Sequence, residues 1–133
     1  MRYLLDTNAV IALLNEPQGP VSQRVRTFAP SEFGLSALVV HELYFGAYKS
    51  QRRERNVAVV NGLRFEVLPF DQEDAHHAGE IRAGLGMLGT PIGAYDVLIA
   101  GQARARGLVL ITRNVREFER VPQLRVENWL EGL

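Results

Sequence analysis

The stretch RYLLDTNAVIALLNEP, from Arg2 to Pro17, introduces the pattern that the rest of the chain repeats. Residues 2–5 have the composition of a short strand, and residues 7–15 have the apolar spacing of a helix that Pro17 ends. Asp6 stands between the two, a carboxylate within an otherwise apolar run. Two interpretations of Asp6 are open at this point: it caps the helix, or it is one of several acids that bind a metal ion.

The same alternation of short strands and helices continues along the chain. Further strands are predicted at residues 33–36, 65–68, 108–111 and 124–126. Helices are predicted at residues 20–28, 37–49, 50–62, 71–85, 94–106 and 115–121, with a glycine-rich break, GLGMLGTPIG, over residues 84–93. Five strands that alternate with helices predict an α/β fold with a mainly parallel sheet and helices on both of its faces. We expect one domain over residues 1–133.

Composition excludes several classes of function. The 133 residues include no Cys, which rules out disulfides, thiolate catalysis and thiolate-bound zinc. Fifteen basic residues balance fifteen acidic ones, so the net charge indicates no particular partner. No apolar stretch is long enough to cross a bilayer, and the N-terminus lacks a signal-peptide pattern. These features predict a soluble, cytoplasmic protein that does not bind membranes.

Two more acids stand in apolar surroundings, as Asp6 does. Glu42 and Asp96 each lie on the apolar stripe of a predicted helix, without a Lys or Arg three or four residues away. A buried carboxylate must be paired, protonated or bound to a metal. Sites in parallel sheets form outside the carboxyl ends of the strands, where these three acids meet if the prediction holds. Oxygen ligands without Cys favour Mg²⁺ or Mn²⁺, although each acid taken alone is more often a helix cap or another structural group than a metal ligand.

Three stretches of the chain carry a resemblance to a known family. LLDTNAVIALL, VVHELYFGA and PIGAYDVLIAGQARARGLVLITRNVREFERVPQLRVENW resemble the PIN-domain ribonucleases, and in particular the VapC toxins of bacterial toxin–antitoxin pairs. The similarity runs from end to end. It implies a PIN-like fold and an endoribonuclease that uses Mg²⁺ or Mn²⁺.

The resemblance also assigns roles to particular residues. Asp6, Glu42 and Asp96 match the catalytic, metal-binding acids of the family. Many PIN domains have a fourth acid where this chain has Asn114, and Glu117, about one helical turn later, is the natural catalytic substitute. The polar residues expected to support the acids are Asn8, Thr112 and Asn114.

The expected binding partners are inferred partly from the positions of basic residues and partly from the resemblance. Arg113 and Arg116 flank the expected site and are candidates for contacts with RNA phosphates. The resemblance implies a homodimer, an RNA substrate with tRNA (initiator tRNA in particular) favoured, and a VapB-like antitoxin whose C-terminal segment covers the site. Leu43, Tyr44 and Tyr48 mark the expected antitoxin contact. The alternative hypothesis is a catalytically silent PIN domain that binds RNA or antitoxin without cutting.

Two other motifs are set aside. GLGMLG, residues 84–89, fits the spacing GxGxxG, but a dinucleotide site needs a strand directly before it, and a helix is predicted there. Phosphatases with an aspartyl-phosphate intermediate also place Asp after the first strand. They require a second Asp at position 8, which is Asn, and a Lys late in the chain, where there is none.

Overall fold

The computed structural model describes residues 1–131, which form five strands joined by helices. The strands are β1 (Tyr3–Leu5), β2 (Phe33–Ser36), β3 (Glu66–Leu68), β4 (Val109–Ile111) and β5 (Val126–Glu127). The helices are α1 (Thr7–Asn15), α2 (Pro20–Val25), α3 (Ala37–Lys49), α4 (Arg53–Asn61), α5 (Gln72–Met87), α6 (Ala94–Ala105) and α7 (Val115–Phe118), with a 3₁₀ helix over Pro30–Glu32.

The strands form one sheet in the order β3-β2-β1-β4-β5. Every neighbouring pair is parallel, and β1 lies in the centre between β2 and β4. This confirms the predicted α/β class with a five-stranded parallel sheet.

The direction in which the chain crosses the sheet reverses once. It moves outward from β1 to β2 and β3, then crosses back to β4 and β5 on the other side of β1. Because crossovers between parallel strands are right-handed, this reversal places α1–α4 on one face and α5–α7 on the other. The contacts agree, since α3 packs on α4 and α5 packs on α6. Ligands of such sheets bind where the direction reverses, here outside the carboxyl ends of β1 and β4.

The centre of the sheet is buried from both sides. Leu4 and Leu5 in β1, Leu35 in β2, and Leu110 and Ile111 in β4 are all fully buried. Strands covered on both faces have nearly continuous apolar sequences, which explains why three or four residues suffice to define each one. Over residues 1–131, no helix combines the length and the apolar character needed to span a bilayer.

An aromatic cluster closes the opposite edge of the sheet, where β1 and β2 begin. Trp129 is only 3% exposed; its ring lies 4.9 Å from that of Tyr3 and stacks on that of Phe28 at 5.9 Å. Offset and edge-to-face contacts of this kind stabilise a core. Trp129 is therefore a core residue.

The α5–α6 pair is packed at unusually short range. A Cβ atom added to Gly101 would lie 2.6 Å from both the Cβ and the backbone N of Ala78. Beside this contact the buried carboxylate of Asp74 accepts hydrogen bonds from Arg106, at 2.9 Å to Nη2, and from Gln102. Gln102 also donates to the backbone oxygen of Pro69. The two helices thus share one polar network and one point at which only glycine fits.

The predicted break at residues 84–93 begins too early, because α5 continues to Met87. Leu85 is buried against the core, and this burial stabilises the last turn despite Gly84 and Gly86. The backbone turns only at Gly89, where φ is +71°. A helix therefore occupies most of the GxGxxG stretch, in agreement with its rejection as a dinucleotide motif.

Four other predicted boundaries are wrong by a few residues. Helix α7 ends at Phe118 instead of residue 121, because the backbone N–H groups of Arg120 and Val121 bond three residues back. Helix α2 ends at Val25 instead of residue 28, because the backbone N–H groups of residues 27 and 28 bond three residues back in a tight turn. The helix predicted for residues 50–62 starts at Arg53, since Ser50 caps the end of α3 by donating to the backbone oxygen of Ala47. Strand β5 is at residues 126–127 instead of 124–126 because its register follows β4.

Candidate active site

Asp6 lies directly after β1, at the point where the winding of the sheet reverses, and is 5% exposed. Its Oδ1 accepts a hydrogen bond of 2.9 Å from the backbone N–H of Thr7, so it caps α1. Its Oδ2 accepts a bond of 2.8 Å from the hydroxyl of Thr112, which follows β4. The capping interpretation of Asp6 is confirmed, and the bond from Thr112 adds a second function, since it joins the ends of the two strands.

Glu42 projects from α3 toward the same edge of the sheet and is partly buried. Its Oε2 accepts a hydrogen bond of 2.8 Å from the hydroxyl of Thr7. Thr7 therefore bonds Asp6 through its backbone and Glu42 through its side chain. Sequence reasoning missed Thr7; its place at the first turn of a helix, next to a candidate ligand, was the only available signal.

Asp96 and Glu117 come from the other side of the sheet. Asp96 is in the first turn of α6, and Glu117 is in α7, where its Oε1 accepts a hydrogen bond of 2.9 Å from the backbone N–H of Gly93. Glu117 also lies near enough to Asp96 to raise the pKa of that carboxyl. The structure thus brings Glu117 beside Asp96, whereas the side chain of Asn114 is exposed.

The four acids act on one another electrostatically. Burial raises the pKa of Asp6, with added repulsion from Glu42 and Glu117, against the hydrogen bonds from Thr112 and Thr7. Burial also raises the pKa of Asp96 to about 6, and the charges of Asp6, Glu117 and Glu42 act in the same direction. None of the ion pairs within residues 1–131 includes any of these four acids. The site therefore concentrates negative charge without a protein cation to balance it.

Thr112 connects the polar residues around Asp6. Besides donating to Asp6, its hydroxyl accepts a 3.4 Å bond from the side-chain amide of Asn8 and a 3.1 Å bond from the backbone N–H of Asn114. The side-chain oxygen of Asn8 accepts a 3.1 Å bond from the backbone N–H of Arg113. Asn8 and Thr112 therefore fix the chain after β4 against Asp6, and Asn114 contributes through its backbone.

The two candidate phosphate-binding residues, Arg113 and Arg116, are exposed on the segment that follows β4. Neither forms an ion pair within the described part of the chain. Their guanidinium groups are thus available to an anionic ligand beside the four acids.

The donor set fits a hard divalent cation by charge and by ligand type, since all four groups are carboxylates. The pKa values of Asp6 and Asp96 are raised first by burial and then by the charges of the neighbouring acids, as expected of carboxylates gathered without a counter-ion. As the side chains stand, no three His, Cys, Asp or Glu residues among residues 1–131 form a ready-made cage. Binding a cation at this site would therefore require the carboxylates to adjust their rotamers.

Comparison with known proteins assigns this fold and site to a class. The family model described as "PIN domain" matches residues 3–124. A "tRNA(fMet)-specific endonuclease VapC" of Salmonella typhimurium is 44% identical over 97% of this chain and 98% of its own. A "Ribonuclease VapC2" of Haemophilus influenzae is 41% identical over 98% and 99% of the two chains.

A solved structure described as DNA-bound VapBC from Salmonella typhimurium has a TM-score of 0.90 and 45% identity, covering 97% of this chain and 98% of its own. The chain therefore belongs to the PIN domain family, and these relatives place it among the VapC proteins of that family. The resemblance inferred from the sequence is therefore confirmed both for the PIN domain family and for its VapC proteins.

Proposed function

We propose that this protein is a VapC-like toxin that hydrolyses RNA phosphodiester bonds as a metal-dependent endoribonuclease. The observation that carries the proposal is the meeting of Asp6, Glu42, Asp96 and Glu117 where the sheet reverses direction, with no ion pair to any of them within residues 1–131. Relatives named as an endonuclease and as a ribonuclease, similar over almost their whole length, support it.

Asp6, Glu42 and Asp96 are the proposed ligands of Mg²⁺ or Mn²⁺. A divalent cation bound by carboxylates neutralises phosphate charge and makes hydroxide available near neutral pH. The protein's own contribution is positioning: Thr7 and Thr112 fix the carboxylates of Glu42 and Asp6 by hydrogen bonds of 2.8 Å. Glu117 accepts a hydrogen bond from the backbone N–H of Gly93 and so fixes the start of α6, which carries Asp96, on the side of the site formed by α6 and α7.

The proposed substrate is tRNA, with initiator tRNA favoured. The support is the S. typhimurium relative, whose name specifies tRNA(fMet) and which is similar over 97% of this chain. Arg113 and Arg116, exposed beside the acids, are the proposed contacts to RNA phosphates. Such contacts fix the position of the backbone and leave sequence preference to other residues.

A VapB-like antitoxin is the proposed protein partner. A groove of about 300 Å³ runs between α1, α3 and α4, with Glu42 in its wall and apolar side chains along it. The apolar and small residues of the groove are Ile11, Leu14, Leu43, Gly46, Ala47, Val59 and Val60. A segment of the antitoxin that fills this groove would reach Glu42 and block the site. Solved VapBC complexes of similar sequence support such a pairing, and a homodimer in the cytoplasm remains our expectation for assembly and location.

The test is cleavage of total tRNA and rRNA by the purified protein in Mg²⁺, in Mn²⁺ and in EDTA, with the cut ends mapped. We expect discrete cuts that require the metal and that Asp96→Asn abolishes. Glu73→Gln is the matched control, because Glu73 is an acid in the first turn of α5 just as Asp96 is in the first turn of α6. Glu73 is exposed, whereas Asp96 is partly buried. If the folded protein, free of antitoxin, cuts no RNA with either metal, the proposed ribonuclease activity is overturned. The alternative hypothesis of a catalytically silent binding module then remains.

A further inference from the structure

Two aromatic side chains stand immediately beside the acids. His41 precedes Glu42 in α3, and Tyr95 precedes Asp96 in α6. Their ring centroids are 5.8 Å apart and their planes are inclined by 38°. Since adjacent residues of a helix point about 100° apart, each ring lies at the rim while its neighbouring carboxylate faces the site.

The exposure of this pair distinguishes it from the packed aromatics of the core. Tyr95 is 50% exposed and His41 is exposed as well. By contrast, Tyr3 and Phe33, whose rings are 5.5 Å apart, are 4% and 0% exposed. A contact made only to join α3 to α6 gains most when its apolar surface is buried, and here much of that surface faces solvent.

The backbone that carries Tyr95 is held in place. Glu117 accepts a hydrogen bond from the N–H of Gly93, and Arg120 donates one of 3.1 Å to the backbone oxygen of Pro91. Both bonds come from the α7 region, which also supplies Glu117 to the site. A ring mounted on a fixed segment loses little conformational freedom when a ligand stacks on it.

We propose that His41 and Tyr95 form a stacking platform for an unpaired nucleobase next to the phosphate that is cut. Every base offers a π face, and aromatic side chains beside an anionic backbone site are a general means of holding single-stranded RNA. Tyr95 is then a residue that positions the substrate relative to Asp96 and favours unpaired over paired RNA. The platform rests on the proposed ribonuclease function and extends it to the choice of substrate.

The first experiment measures kcat and KM of Tyr95→Ala on the RNA whose cut site has been mapped. Stacking contributes about 1–3 kcal/mol per base, so we expect KM to rise by about 5- to 150-fold with a much smaller change in kcat. Tyr95→Phe retains the ring and should stay close to wild type. Phe45→Ala is the matched control, since Phe45 is a 61% exposed aromatic residue on α3 whose ring lies against Lys49, outside the platform.

A second experiment detects stacking directly. A mixed-sequence single-stranded oligoribonucleotide with one 2-aminopurine is bound in EDTA, which stops cleavage. Wild type and Tyr95→Phe should quench its fluorescence, and Tyr95→Ala and Tyr95→Leu should not. Thermal melting of each variant confirms that it is folded.

Three results would overturn the platform: an unchanged KM in Tyr95→Ala, equal quenching by that variant, or recovery of KM in Tyr95→Leu, which restores packing without a ring. A wild-type protein that cuts no RNA overturns the proposed function instead. In that case the quenching assay still decides whether the platform binds bases.

Discussion

Replacing Gly101 with Ala should destabilise the protein, although alanine is the better helix former. Gly101 is buried in α6, and its missing side chain is what lets α6 lie against Ala78 of α5. A Cβ atom there would come within 2.6–2.7 Å of the Cβ, the backbone N and the Cα of Ala78. Two of those three atoms belong to the backbone, so no rotamer change relieves the overlap.

The magnitude follows from two opposed effects. Overpacking a core costs about 1–3 kcal/mol, and overlap with backbone puts Gly101→Ala near the upper end. Alanine in a helix interior recovers about 1 kcal/mol relative to glycine. The net loss is about 2 kcal/mol of the free energy of unfolding. In a protein of this size each kcal/mol shifts Tm by roughly 3–5 °C, so Tm should fall by roughly 6–10 °C.

Gly79→Ala is the matched control, in the exposed middle of α5 and one residue from Ala78. A Cβ atom at Gly79 meets nothing within 4 Å, so only the gain in helix propensity of about 1 kcal/mol applies. Differential scanning calorimetry and urea unfolding should show opposite signs for the two variants. A Gly101→Ala protein as stable as wild type would refute the packing argument, whatever Gly79→Ala does.

Three further outcomes are expected. Thr112→Val should lose about 1–3 kcal/mol in urea unfolding, because it leaves Oδ2 of the buried Asp6 without its donor, and Thr112→Ser should not. Burial favours a raised pKa for Asp74, but the bonds from Arg106 outweigh it and hold the pKa below the ordinary value of 3.8. Stability from Asp74 is therefore complete above about pH 5 and lost as pH falls below 3.8, so the deficit of Asp74→Asn in unfolding experiments should shrink toward pH 3. Asp96→Asn should raise the Tm of the metal-free protein, since it removes one of four mutually repelling carboxylates, and Mg²⁺ should then stabilise wild type more than the variant.

The central fold could be predicted because its signals are local. Leu4, Leu5 and Ile111 belong to short apolar runs bounded by polar residues or glycine, and such runs predict buried parallel strands. Boundaries failed where tertiary contacts decide them. The end of α5 depends on the burial of Leu85, and the position of β5 depends on its pairing with Ile111 in β4. Neither contact is encoded near the residues concerned.

In the candidate site, too, residues with a local sequence signal could be predicted and residues defined by tertiary contacts could not. Asp6, Glu42 and Asp96 could be predicted because each is an acid in apolar surroundings, and Glu42 and Asp96 also lack a Lys or Arg three or four residues away. Thr7 and Gly93 did not, because their roles arise from a hydroxyl that reaches Glu42, 35 residues away, and from a backbone N–H that reaches Glu117, 24 residues away. Contacts between residues so far apart in the sequence can be identified only once the order of the strands in the sheet is known.

The reversal of winding between β1 and β4 has a consequence for biosynthesis. The bond from Thr112 to Asp6 joins residues 106 positions apart, and β1 cannot pair with β4 until residues 109–111 have been made. At about 5–20 residues per second, a nascent chain passes about 5–20 s with Asp6 exposed and the α6 and α7 side of the site absent. Early contacts in such a chain are confined to β1, β2, β3 and the helices between them. A growing polypeptide would therefore carry its first acid from the start and yet lack a complete acidic centre until synthesis is nearly finished.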